Sequence, residues 1–170
     1  MKNGFTLIEL LVVLIIISLV SAFVAPRIIA PLGNLSLKTA SKKIVSALRY
    51  ARSQAVSEYD GRVAIFDFEL RRLMVFTGSA LPDTYRPDEL PVDKAEMVYD
   101  LPENVRFEQA VSGEEKISEG LFQVAFFPNG SSSGGKLILT NEGGLRYQIK
   151  IDFITGMASL ETLARRADAI

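Results

Sequence analysis

The stretch from Gly4 to Ala25 reads Gly-Phe-Thr-Leu-Ile-Glu-Leu-Leu-Val-Val-Leu-Ile-Ile-Ile-Ser-Leu-Val-Ser-Ala-Phe-Val-Ala, and nothing else in the chain limits the fold as strongly. About 20 apolar residues in a helix cross the roughly 30 Å of hydrocarbon in a bilayer. This run has that length, and Pro26 interrupts it. Its one charge is Glu9. A carboxylate in lipid costs roughly 2.5–3.5 kcal/mol, so an acid there asks for a partner. A cut after Gly4 would supply one: Phe5 would carry a free α-amino group at the head of the helix, and a neighbouring copy's amine could pair with Glu9. An ordinary signal anchor, with Glu9 reaching the headgroups, is the plainer alternative. A secretory signal fits less well, because the apolar region is too long and the cleavage-like site precedes it.

The remainder of the 170 residues is enough for one globular domain. Asn34 or Ser36 marks the N-cap of a second helix, from about Leu35 to Ser57, that continues the first past a bend at Pro26 and Pro31. Leu37, Ala40, Ile44, Ala47, Leu48, Ala51 and Ala55 recur at steps of three and four and form one apolar face. Lys38, Lys42, Arg49 and Arg52 fall together beside it, and the simplest reading of them is a solvated surface. Contact with lipid headgroups or with an acidic neighbour is the alternative.

Asp60-Gly61 ends the helical pattern, and short strands follow. They are placed at Arg62–Phe68, Leu73–Thr77, Met97–Leu101, Val105–Gln109, Leu121–Phe127, Lys136–Thr140, Leu145–Phe153 and Met157–Leu160, with the last four forming an antiparallel meander. A long connection with three prolines occupies Gly78 to Glu96. Ser112 to Gly120 reads as an exposed charged loop, and Glu161 to Ile170 as a frayed tail. The fold class is therefore α+β: a long N-terminal membrane helix continuing into an amphipathic helix packed on an antiparallel β-rich head. The segments are 1–4 leader, 5–25 membrane helix, 26–57 amphipathic helix, 58–160 head and 161–170 tail.

Composition excludes several chemistries. The chain has no histidine and no cysteine, which removes histidine-assisted nucleophiles, His/Cys zinc sites and disulfides. A net charge of −1 offers no bulk attraction to nucleic acid. Gly130-Ser-Ser-Ser-Gly-Gly135-Lys136-Leu137 approaches a phosphate-binding loop, but Leu137 stands where Mg²⁺ needs a hydroxyl and a strand follows instead of a helix. It reads as a flexible hairpin loop. Acids scattered from Asp83 to Glu119 offer oxygen ligands for Ca²⁺ without an EF-hand pattern. No cofactor and no resident metal are expected, and an enzyme is the least supported class.

Gly4-Phe5-Thr6-Leu7-Ile8-Glu9 before an apolar run resembles the processing site of type IV pilins and type II secretion pseudopilins. The resemblance implies cleavage after Gly4 by prepilin peptidase, N-methylation of Phe5 and a role for Glu9 in docking each subunit on the next. Leu48-Arg49-Tyr50-Ala51-Arg52-Ser53-Gln54-Ala55-Val56 and Phe127-Pro128-Asn129-Gly130-Ser131-Ser132-Ser133-Gly134-Gly135 are similar to the minor pseudopilins of the general secretion pathway protein H family, while 78–119 matches no known pattern. The implied function is a structural subunit of the pseudopilus that helps export folded proteins across the outer membrane. Its partners would be prepilin peptidase, other major and minor pseudopilins and the inner membrane, with a single pass and the head in the periplasm. The alternative is a minor type IV pilin of pilus assembly or DNA uptake. DNA-binding relatives tend to carry Gly-Arg-x-Arg near the C-terminus, whereas this chain has Gly156-Met157-Ala158-Ser159, so no nucleic acid is expected.

Overall fold

The computed structural model describes residues 6–80 and 90–163, with the side chains of 22–32 and 80 outside that description. One helix, α1 (Leu7–Ser57), runs for 51 residues, about 75 Å at 1.5 Å per residue. It is continuous in secondary structure where a bend was expected at the prolines, and Asn34 and Ser36 lie inside it instead of capping a second helix. The cap is Thr6, whose hydroxyl accepts the Glu9 N–H at 3.3 Å. A hydroxyl that satisfies one of the helix's unpaired first-turn donors fixes where the helix begins. At the other end the chain leaves the helix through Tyr59, whose φ of 53° is the left-handed conformation usually given to glycine. The turn comes just before Asp60-Gly61, where the sequence places it.

Among the described residues nine strands follow: β1 (Arg62–Asp67), β2 (Arg72–Thr77), β3 (Met97–Asp100), β4 (Val105–Ser112), β5 (Glu115–Ile117), β6 (Leu121–Phe126), β7 (Gly135–Asn141), β8 (Arg146–Ile151) and β9 (Ala158–Leu163). They form two antiparallel sheets, a four-stranded one in the order β3-β2-β1-β6 and a five-stranded one in the order β5-β4-β7-β8-β9. The expected four-strand C-terminal meander is therefore corrected. β7, β8 and β9 do meander, but β6 leaves them to pair along β1, Ala64 opposite Val124 and Phe66 opposite Phe122. Two other expectations change. β5 lies inside the stretch read as a loop and pairs with the end of β4, and β9 takes in Glu161 to Leu163, assigned above to the tail. The rest of that tail, 164–170, is outside the described residues.

The main core lies between α1 and the two sheets. All seven residues of the apolar stripe from Leu37 to Ala55 are buried there. They meet Ala64, Phe66 and Val75 of the first sheet and Leu137, Leu139 and Ile149 of the second. Small alanines on the helix let the backbones approach closely. Phe66 stacks on Phe122 with ring centroids 5.6 Å apart and takes the edge of Phe107 at the same distance, so aromatic rings join the sheets where they meet. The opposite face of the first sheet carries a smaller apolar cluster, Ile65, Met74 and Phe76, covered by Leu90. That contact gives the proline-rich connection one packing role. Its middle, 81–89, is outside the described residues.

Candidate assembly surface

The first half of α1 is unlike the second. From Leu7 to Ser21 every side chain is exposed, Leu14 at 56% and Leu7 at 85%. Such a run of leucine, isoleucine and valine left uncovered on one chain calls for a bilayer or other helices around it. Ser18, the run's mid-helix hydroxyl, donates to the Leu14 carbonyl at 2.8 Å, so its polar group is satisfied within the helix. Among the described residues no helix is long and apolar enough to cross a membrane; the side chains from 22 onward, which would complete the run, lie outside that description.

Glu9 sits three residues after the Thr6 cap, exposed in the first turn. That spacing is the one in which a cap hydroxyl and an acid at the third helical position serve the same helix start. An acid there also faces the positive end of the helix dipole. Gly4 and Phe5, the residues of the expected cut and methylation, lie outside the described residues.

The basic face of α1 divides. Lys38 and Lys42 are exposed as expected, but the two arginines hold the head to the helix. Arg52 Nε donates to the carbonyls of Gly130 at 3.0 Å and Thr155 at 2.7 Å, and Arg49 Nη2 donates to the Ala158 carbonyl at 3.2 Å. The solvated reading is corrected for Arg52, which is half-buried, while Arg49 stays exposed and makes its bond from the surface. Backbone carbonyls of the head accept a charged donor, and the single Nε–H of Arg52 is shared between two of them.

Tight packing holds those acceptors. Gly156, at φ 62°, comes so close that a Cβ there would stand 2.5 Å from the Gly130 oxygen and 3.0 Å from Arg52 Nε, which only glycine permits. Asp152 organises the same turn. Its Oδ1 accepts the N–H of Thr155 at 2.8 Å, the Thr155 hydroxyl at 2.9 Å and the Ile154 N–H at 3.1 Å. Those bonds from Thr155, stronger in effect than that from Ile154, hold its carboxyl below the usual aspartate pKa. Buried Ser132 adds a hydroxyl donated to the Asp152 carbonyl at 3.0 Å. The Gly130–Gly135 loop is thus not a flexible hairpin. It is pinned by hydrogen bonds and carries the chain from the first sheet to the second, where β7 begins at Gly135 opposite Ile151. Strand β7 follows it where a phosphate-binding loop would lead into a helix.

Two further ties complete the attachment. Near the middle of α1, Asn34 Oδ1 accepts Asn141 Nδ2 at 3.0 Å from the β7–β8 turn. Beyond its end, Arg62 is 1% exposed and bonds Glu58, the C-cap residue of α1, Glu96 at 2.9 Å and the Asp60 carbonyl at 3.0 Å. Burial alone would lower the guanidinium pKa; the bonds and charges of Glu58 and Glu96 outweigh it and leave the pKa raised. Sequence reasoning found none of these ties, since an arginine at a strand start looks like any surface cation. Among the described residues no cluster of carboxylates could hold a metal ion.

Comparison with known proteins places this architecture. The profile described as "Prokaryotic N-terminal methylation motif" matches residues 1–25, and "Type II transport protein GspH" matches 40–155. The type II secretion system protein H of Xanthomonas campestris pv. campestris is 28% identical over 154 residues, covering 91% of this chain and 80% of that protein. Among solved structures, the minor pseudopilin EpsH of Vibrio cholerae superposes with a TM-score of 0.52 at 15% identity, over 76% of this chain and 97% of that one. The type IV minor pilin FimU of Pseudomonas aeruginosa gives 0.54 at 16%, over 78% and 96%. At such identities the two superpositions establish a shared fold and do not separate secretion from pilus. The GspH profile does more, because it spans the docked half of α1 and all but the last of the nine strands. On that match the chain belongs to the type II transport protein GspH family.

Proposed function

We infer that this chain works as a minor pseudopilin of a type II secretion system, a non-enzymatic subunit anchored in the inner membrane with its head in the periplasm. The observation that carries the reading is the joining, in one continuous helix, of a methylation-motif segment at 1–25 to a GspH domain at 40–155. A helix of about 75 Å is long enough to cross a bilayer with its first half and carry the head on its second.

The finer roles follow from the same reading. Prepilin peptidase would cut after Gly4 and Phe5 would be methylated. The new amine would then pair with Glu9 of an adjacent pseudopilin, where low dielectric makes the attraction strongest. Coexpression with the peptidase should yield a mass lacking Met1 to Gly4 and gaining one methyl. Glu9→Val should insert and be cleaved at least as well as wild type, since the change makes the helix more apolar, while crosslinking to partner pseudopilins in membranes falls. Equal crosslinking at equal processed levels would assign Glu9 to the helix cap alone.

The alternative is a minor type IV pilin, since the superposition on FimU is equally good and speaks for the fold alone. Deleting the gene and assaying export of folded enzymes beside surface pili separates the two. Loss of pili with export intact would replace the secretion assignment.

A further inference from the structure

A groove of about 560 Å³ runs between α1 and β3, with Lys42, Lys43 and Tyr50 on the helix side and Met97, Val98 and Tyr99 on the strand side. β3 ends the four-stranded sheet, with β2 on one side and no strand on the other among the described residues. The Leu101 N–H donates to the Arg71 carbonyl. By the antiparallel alternation counted from that bond, Val98 turns its own N–H and C=O away from β2, toward the open side. A strand edge with free backbone groups is a template for another extended chain.

The side chains state what kind of chain. Val98 and Tyr50 are each 43% exposed although apolar, and Lys43 Nζ lies 5.2 Å from the centroid of the Tyr99 ring. No acid lines the groove, and among the described residues Lys42 and Lys43 make no ion pair with a carboxylate. Apolar walls and uncompensated cations lie together on the side that faces α1, and only every second side chain of an added strand points there, so they fit an extended segment that carries both apolar and acidic residues on that one face. Lipid headgroups fit poorly, because Thr39 at the groove lies about 20 Å along the helix from the end of the apolar run. Nucleic acid offers phosphate acceptors but no alternating N–H donors and carbonyl acceptors to match a strand edge.

We propose that this groove binds an extended acidic segment of a partner polypeptide, added as a strand beside β3. The inference does not rest on the secretion assignment, since only the groove's geometry and charge enter it.

The test uses the full chain in mild detergent and a fluorescein-labelled eight-residue peptide of the order Val-Val-Glu-Glu repeated once, which puts valine and glutamate on each face of the strand, followed by fluorescence anisotropy. Micromolar binding that weakens as salt rises from about 50 to about 500 mM is expected. Lys42→Glu with Lys43→Glu should weaken it roughly tenfold. A peptide N-methylated at alternate amides should not bind. Val98→Pro, a change that an edge strand tolerates, should remove binding while the thermal unfolding curve stays in place. Three results overturn the proposal: no binding at about 1 mM peptide, equal binding of a valine–lysine peptide, or self-association of the chain that Val98→Pro abolishes. The first would mean that the lysines only guard the edge, and the last would make a second copy the occupant.

Discussion

Leu14 and Leu48 belong to the same helix, yet the first is 56% exposed and the second is fully buried. Both are leucine, so residue type does not explain the contrast; spacing does. Around Leu14 the apolar residues are unbroken and cover the helix on all sides, which suits an environment apolar in every direction. Around Leu48 they return every three to four residues to one face, with Lys42, Lys43, Ser46 and Arg49 between, which suits a helix with one dry face. One continuous element thus serves two solvents. The head must grip only the second half firmly enough to move with the first.

The strongest way to break this comparison is to truncate both leucines. Leu48→Ala should destabilise the head by about 2–5 kcal/mol, as a cavity in a packed core does. Leu14→Ala should change it by less than about 0.5 kcal/mol. Urea unfolding of the full chain in detergent, followed by circular dichroism of the strands, measures both; equal losses would mean that the head also senses the exposed half.

The cations of the second half give the next effect. Arg52→Ala deletes two charge-assisted bonds and should cost about 1–3 kcal/mol, whereas Lys38→Ala should fall within about 0.5 kcal/mol of wild type. If the two variants unfold at the same urea concentration, the arginine's bonds do not contribute to the grip.

Acid should loosen the same attachment through Asp152. A carboxyl with a lowered folded pKa stabilises above its unfolded value, about 3.9, and that contribution fades as pH falls through the folded one. The wild-type urea midpoint should therefore drop more steeply below about pH 4 than that of Asp152→Asn. Parallel profiles would remove Asp152 from the account.

The smallest effect lies where the docked half ends. Tyr59 is 84% exposed with a positive φ, so Tyr59→Gly relieves backbone strain without losing buried surface and should add at most about 1 kcal/mol. A loss of stability would show that the exposed ring packs on something in the folded protein.

Particular residues show how far the sequence could be read. The stripe from Leu37 to Ala55 was legible because its partners lie on one helix face, and periodicity is a local property. The β1–β2 hairpin was legible for a similar reason: a four-residue turn joins two alternating runs, and Asp67 Oδ1 closes it on the N–H groups of Glu69 and Leu70. The exchange of β6 into the first sheet was not. Phe122 and Val124 would pack as well in either sheet, and their pairing with Phe66 and Ala64 joins segments far apart in the chain. The three-residue β5 was missed because its exposed, charged side chains carry no alternation to read.

By itself, then, the sequence determined the long apolar helix start, the amphipathic half that follows, the α+β class and the absence of histidine and cysteine chemistry, because each is written in neighbouring residues. The tertiary structure alone decided which cations are working parts. Arg49 and Arg52 fall on the same helical face as Lys38 and Lys42, but their acceptors are backbone carbonyls that lie 78 to 109 residues further along the chain. A backbone carbonyl has no residue type to recognise, so no pattern in the sequence could announce it before the fold carried it to the helix.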